Sequence, residues 1–178
     1  MSNAFSREFL GDNPTKKDLL KIGGVTLLAV VTIGYSNYAE LSELPIWKSI
    51  LFLLMLSDIF AGAIGNFTKS TQDHYKNDTK KRVTFLLMHI LHISLLVVAV
   101  GHVWFGIGLF VYTIAAGLLV NASKTVKQQE INAASVICLG FLLFYVAFPA
   151  PKILIWLPAV FLIKLVMGFS IRREDDYS

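Results

Sequence analysis

The sequence predicts an all-α, polytopic integral membrane protein, a bundle of about six transmembrane helices. Of its 178 residues 55% are hydrophobic and only 16% are charged, and the mean hydropathy is +0.63. The apolar residues form blocks close to the roughly 20 residues that a helix needs to cross a bilayer core. None of these blocks alternates in the manner of a barrel strand, so the backbone must satisfy its hydrogen bonds within helices.

The apolar blocks define six predicted spans. They run from Leu19 to Tyr35, Pro45 to Phe67, Val83 to Val100, Trp104 to Val120, Ile131 to Phe148 and Ile153 to Ile171. Residues 1–18 are then a cytoplasmic N-terminal segment, 19–171 a transmembrane domain and 172–178 a cytoplasmic tail. Thr15 and Asp18 match the S/T-x-x-D/E start signal, which predicts a first helix beginning at Lys16. A signal peptide is the alternative for this first block, but the small-x-small cleavage pattern is missing after it.

The distribution of basic residues predicts the orientation of the bundle. Thirteen of the sixteen lysines and arginines fall on one side, which we assign to the cytoplasm. They are Arg7, Lys16, Lys17, Lys21, Lys69, Lys76, Lys80, Lys81, Arg82, Lys124, Lys127, Arg172 and Arg173. Lys48 and Lys152 fall on the other side, where Trp47, Trp104 and Trp156 begin their segments as an interfacial aromatic belt would. We therefore expect both termini in the cytoplasm, and compactness favours a plasma membrane.

The net charge of +4 predicts lipid rather than nucleic acid as the partner, because most of the positive charge borders membrane spans. The loop from Asn66 to Arg82 holds five basic residues, which makes anionic lipid headgroups candidate ligands. The alternative is that the basic residues of this loop only determine the topology of the bundle. The oligomeric state does not follow from the sequence.

Four ionisable residues fall inside predicted spans, where each costs roughly 2.5 to 3.5 kcal/mol to insert. They are Asp58, His89, His92 and Lys164. A rise of about 1.5 Å per residue puts all four between the cytoplasmic face and the midplane. Whether they meet cannot be read from the order of the segments.

The second span carries the most specific pattern. One face of this helix is small and polar, because such residues recur at steps of three and four: Asp58, Ala61, Gly62, Gly65, Asn66 and Lys69. Such a face either packs closely against another helix or lines a site or pathway. The latter interpretation makes Asp58 and Asn66 candidate site residues.

His89 and His92 project from nearly the same face of the third span. Interhelical hydrogen bonding, proton transfer and metal ligation are all compatible with this spacing. Lys164 either extends towards the cytoplasmic interface or forms an ion pair with Asp58. If a metal is bound, its candidate ligands are Asp58, His89, His92 and His74.

Three functions remain open. The first is a transporter or channel-like protein that handles protons or a cation through Asp58, His89, His92 and Lys164. The second is a metal-dependent membrane enzyme acting on a lipid, and the third is a structural or accessory subunit. No Walker loop, dinucleotide fingerprint, H-E-x-x-H or C-x-x-C occurs, so the sequence predicts no cofactor.

Overall fold

A computed structural model describes residues 14–75 and 79–172. These residues form helices and connecting turns without a β-strand. Arg7, Lys76 and Arg173, which contribute to the predicted orientation, lie outside the described residues. Five helices within the described ranges are long and apolar enough to cross a membrane.

The helices are short or interrupted in several places. We number them α1 (Lys16–Ser36), α2 (Tyr38–Glu43), α3 (Ile46–Gly65), α4 (Lys69–Tyr75), α5 (Thr79–Met88), α6 (Ile90–Val100), α7 (Val103–Asn121), α8 (Val126–Leu142) and α9 (Leu157–Leu162). A π-helical turn, Leu143–Ala147, extends α8. A second one, Ile163–Met167, extends α9. The five candidate spans are Lys16–Ser36, Ile46–Gly65, Lys80–Val100, Val103–Asn121 and Val126–Ala147.

The predicted start of α1 is confirmed. The hydroxyl of Thr15 accepts from the backbone N–H of Asp18 at 3.1 Å, and the Asp18 carboxylate accepts from the Thr15 backbone N–H at 3.4 Å. These two bonds form the capping box that the sequence indicates. α1 then packs mainly on α3 and buries only Ile22 and Ala29, so it is a peripheral helix.

Large apolar side chains cover much of the outer surface. Leu20, Leu27, Val31, Trp104, Val111 and Leu142 are all more than half exposed. A soluble protein rarely shows so much contiguous apolar surface. The bundle therefore has the surface of a membrane protein, with lipid as its solvent.

The predicted sixth span is not confirmed as a long helix. Its residues form a 3₁₀ turn (Lys152–Leu154), α9 and the π-helical turn Ile163–Met167, and we call residues 152–172 the C-terminal segment. Nearby prolines at 149, 151 and 158 explain the broken start, since proline donates no backbone hydrogen bond. Irregular backbone is tolerated at membrane depth where protein surrounds it, and this segment is well covered. Leu154, Leu157, Phe161, Leu162, Leu165 and Phe169 are each at most 2% exposed.

Contacts near the two ends of the C-terminal segment involve different parts of the chain. Near its start, Nζ of Lys152 lies 3.6 Å from a carboxylate oxygen of Glu40 in α2. At its far end, a guanidinium nitrogen of Arg172 donates to the backbone oxygen of Asn121 at 2.7 Å. Between them the segment packs against α3, α7 and α8, which brings Lys164 into the interior of the bundle.

Candidate functional site

Asp58 is the centre of a cluster of ionisable side chains drawn from three parts of the fold. It lies on α3, and its Oδ2 atom accepts a hydrogen bond from Nε2 of His92 on α6. The same oxygen lies 3.3 Å from Nζ of Lys164 in the C-terminal segment. One carboxylate oxygen thus joins two donors that come from two other elements.

Lys164 is almost completely buried, with 2% of its side chain exposed. Its ammonium group also donates to the backbone oxygen of Asp58 at 3.4 Å. An unpaired ammonium ion in such a place would lose several kcal/mol of solvation. The carboxylate of Asp58 offsets that cost, and it explains why a lysine is tolerated in the interior.

Asp58 and His92 are less enclosed than Lys164, since 21% and 22% of their side chains are exposed. The cluster therefore has one fully buried end, at Lys164, and one partly exposed end, at Asp58 and His92.

The hydrogen bonds determine which ring nitrogens of the two histidines carry protons. Nδ1 of His89 lies 2.8 Å from the backbone oxygen of Phe85, which can only accept, so Nδ1 is the donor. Nε2 of His92 donates to the carboxylate of Asp58. In the neutral tautomers, Nε2 of His89 and Nδ1 of His92 are then proton acceptors. Both atoms are buried and have no hydrogen-bond partner among the described residues.

The two imidazole rings are stacked. Their centroids lie 4.6 Å apart and their planes differ by 13°. Stacking brings two buried proton acceptors onto neighbouring rings, and it disfavours a positive charge on both rings at once.

His89 also marks the break between α5 and α6. Its backbone N–H bonds to the oxygen of Leu86 at 3.2 Å. The backbone oxygen of Phe85, which would accept from the His89 N–H in a regular helix, bonds instead to Nδ1 of the His89 ring. The rings of Phe85 and Phe161 meet the imidazole edge to face. The aromatic contacts and the ring hydrogen bond together fix the orientation of His89.

Asn66 lies next to the cluster but contacts backbone rather than charge. Its amide nitrogen donates to the backbone oxygen of Lys164 at 2.9 Å. Gln72 on α4 donates to the backbone oxygens of Asn66 and, at 2.6 Å, of Gly168. Arg82 on α5 donates to the backbone oxygen of Phe169 at 2.8 Å.

These three side chains cap the irregular end of the C-terminal segment. A helix end leaves carbonyl groups without partners, and in hydrocarbon each such group is costly. Gln72 and Arg82 are buried, and the bonds they donate satisfy carbonyl groups at this end. In the sequence both residues belong to the polar loop from Asn66 to Arg82, and no local pattern there shows which distant carbonyl groups they bind.

A second polar layer forms where the C-terminal segment meets the turn between α7 and α8. The backbone N–H of Arg172 donates to Oε1 of Gln129 at 2.8 Å, and the amide nitrogen of Gln129 donates to the backbone oxygen of Ser123 at 3.0 Å.

Gln129 lies on the first turns of α8, which begins at Val126 and not at Ile131 as predicted. Thr125 caps this earlier start with a 3.2 Å bond to the N–H of Gln128, and polar residues in this turn explain why hydropathy alone missed it.

His74 has different surroundings from the other metal candidates. It lies on α4 with its ring edge to face against Tyr75, at a centroid distance of 4.9 Å. No group of three or more histidine, cysteine or acidic side chains that could hold a metal ion occurs in the described parts of the chain.

The structure brings together Asp58, His89, His92 and Lys164, with Asn66 beside them. The assembled groups are a carboxylate, an ammonium group and two imidazoles. Hydrogen bonds join Asp58 to His92 and to Lys164, whereas His89 meets His92 by ring stacking. Comparison of the chain with protein-family models, curated proteins and solved structures finds no match.

Proposed function

We propose that this chain is a small multi-pass membrane protein that moves protons, with Asp58 as the proton-carrying group and Lys164 as its fixed counter-charge. The observation that carries the proposal is the sharing of Oδ2 of Asp58 between His92 and Lys164. Ionisable groups are expensive inside a bilayer and mark ion pathways or proton relays when they are present.

The hydrogen bonds suggest how a proton would pass. Nδ1 of His92 takes up a proton first, and the positively charged ring then passes its Nε2 proton to Oδ2 of Asp58 along their hydrogen bond, which leaves a neutral ring and a neutral carboxyl group. The stacked His89 offers a further acceptor in Nε2. Imidazole is suited to this exchange because it gains and loses a proton near neutral pH.

A proton fits the cluster better than a metal cation. The ammonium group of Lys164 already occupies one contact of the carboxylate oxygen. A second positive ion at that oxygen would be repelled by the first, whereas protonation of Asp58 only changes the hydrogen bonding.

The proposed location is a plasma membrane, which the chain crosses six times with both termini in the cytoplasm. The end-to-end contacts of the C-terminal segment, with Glu40 at one end and Asn121 at the other, support a sixth crossing. The basic bias of the loops supports the orientation. Lys80 and Lys81 are exposed and are candidate contacts for anionic headgroups.

An accessory or structural role is the second candidate, and the capping by Asn66, Gln72 and Arg82 favours it. These residues show that much of the buried polarity in this protein stabilises irregular backbone. Under this alternative the Asp58 cluster would also act only to hold three elements together.

The test is proton flux in liposomes that contain the purified protein and an enclosed pH-sensitive dye, driven by a potassium diffusion potential. We expect flux above that of protein-free liposomes, and we expect Asp58→Asn to reduce it to that background. Asp73→Asn is the matched control, because Asp73 is an exposed carboxylate paired with Lys69 on α4. Undiminished flux in a folded Asp58→Asn protein removes Asp58 from the mechanism, and no flux in the native protein favours the structural role.

A further inference from the structure

The face of α3 that meets the C-terminal segment holds Lys164 at three levels. Asp58, Gly62 and Asn66 are four residues apart and so lie above one another on one face of the helix. Asp58 binds the ammonium group and Asn66 binds the backbone oxygen of Lys164 at 2.9 Å. Gly62 lies between them, where the stem of the lysine passes.

The space for that stem exists only because residue 62 has no side chain. A Cβ atom on Gly62 would overlap Cε of Lys164 and would lie 2.6 Å from its Nζ and 3.4 Å from its Cδ. Carbon atoms at van der Waals contact are about 3.5 to 4.0 Å apart. The lysine and a methyl group therefore cannot occupy this position together.

A methyl group at residue 62 would displace the end of the lysine and not its backbone. The backbone is held by Asn66 and by the π-helical turn, in which the N–H of Gly168 bonds to the oxygen of Ile163 at 2.8 Å. Within residues 14–75 and 79–172, the contacts of the ammonium group are those with Asp58, at 3.3 Å and 3.4 Å. The flexible end of the side chain is thus the part that yields.

We propose that Gly62 is a positioning residue: its missing side chain opens the notch through which Lys164 reaches Asp58. The inference rests on the proposed function, in which the lysine sets the charge state of the proton carrier. Gly62 contributes no chemistry of its own. A larger residue there separates the ion pair without removing either charge.

The first measurement is the pH profile of proton flux for Gly62→Ala. We expect the flux to fall by about tenfold or more, and the pH of half-maximal flux to shift as it does in Lys164→Met, because both changes leave Asp58 without its ammonium neighbour. Gly106→Ala is the matched control: its Cβ would lie 2.7 Å from a methyl group of Val97 and 3.0 Å from one of Ile93, so it disturbs packing on α6 without contacting a side chain of the cluster. We expect Gly106→Ala to lower stability and leave the pH profile unchanged. A folded Gly62→Ala protein with the native flux and profile overturns the proposal.

The second measurement is a double-mutant cycle with Lys164→Ala, read by thermal unfolding in detergent. Once the lysine is truncated, the methyl group at residue 62 has room, so Gly62→Ala should cost much less stability than it does in the native background. This result remains informative if Gly62→Ala alone does not fold. Equal costs in the two backgrounds, or a double variant that does not fold while Lys164→Ala does, overturn the proposal. The double-mutant cycle measures stability and does not depend on proton flux. Failure of the Gly62 proposal and failure of the proposed function therefore give different results.

Discussion

Nζ of Lys164 lies 3.3 Å from Oδ2 of Asp58, although 106 positions separate the two residues in the chain. The contact joins α3 to the C-terminal segment, most of whose large apolar side chains are buried. The ion pair lowers the free-energy cost of both charges in the interior. Removal of either residue therefore leaves the other charge without its ionic partner.

The dependence predicts that Lys164→Met destabilises the protein by about 3 kcal/mol, near the lower end of the cost of breaking a buried ion pair. The lower end applies because the Asp58 side chain is 21% exposed and keeps its hydrogen bond from His92 in the Lys164→Met variant. Thermal unfolding in detergent measures the loss. The double variant Asp58→Asn, Lys164→Met should lose less than the sum of the single variants, since it leaves no unpaired charge. Additive losses would mean that the two charges do not interact.

The two histidines should differ in function, because only His92 contacts Asp58. We expect His92→Phe to reduce proton flux by about 100-fold or more, the order that proton-transferring side chains contribute. His89→Phe should reduce it less, and should keep the protein folded because a phenyl ring can occupy the site between Phe85 and Phe161. The liposome assay compares the two at equal protein content. The reverse order of effects would make His89 the main relay group.

Arg82 should be a stabilising residue and not a transport residue. Its side chain donates to the backbone oxygens of Phe169 and Tyr75, at 2.8 Å and 3.0 Å. Arg82→Met keeps the apolar stem and removes both bonds, which should cost about 2 to 3 kcal/mol. Lys80→Met is the control, since Lys80 is exposed on the same helix and should lose almost nothing. A stable Arg82→Met protein that has lost its flux would contradict this assignment.

The number of crossings can be tested by cysteine labelling in a Cys138→Ala background, where no other cysteine remains. A membrane-impermeant thiol reagent added outside intact cells should label Lys48→Cys, while Lys124→Cys should react only after the membrane is opened. An added C-terminal cysteine should behave like Lys124→Cys if the C-terminal segment crosses the bilayer. Labelling of that cysteine from outside would indicate five crossings.

The sequence alone determined most of the helical spans. The apolar blocks predicted five helices that the structure contains, and Thr15 with Asp18 predicted the start of α1 at Lys16. These features are local: the length of an apolar block and the spacing of a cap are read within a single helix. The early start of α8 at Val126 was missed because its first turns are polar, and hydropathy measures burial in lipid and not helix formation.

Only the tertiary structure decided which polar groups meet. The sequence identified Asp58, His89, His92 and Lys164 as costly at membrane depth, but their convergence depends on which helices are neighbours. It could not assign Gln72 and Arg82, because the carbonyl groups of Gly168 and Phe169 that they bind lie 96 and 87 positions away in the chain. Hydrophobic length is a property of each segment by itself, whereas an ion pair or a cap on an irregular helix end depends on distances set by the packing of the whole bundle.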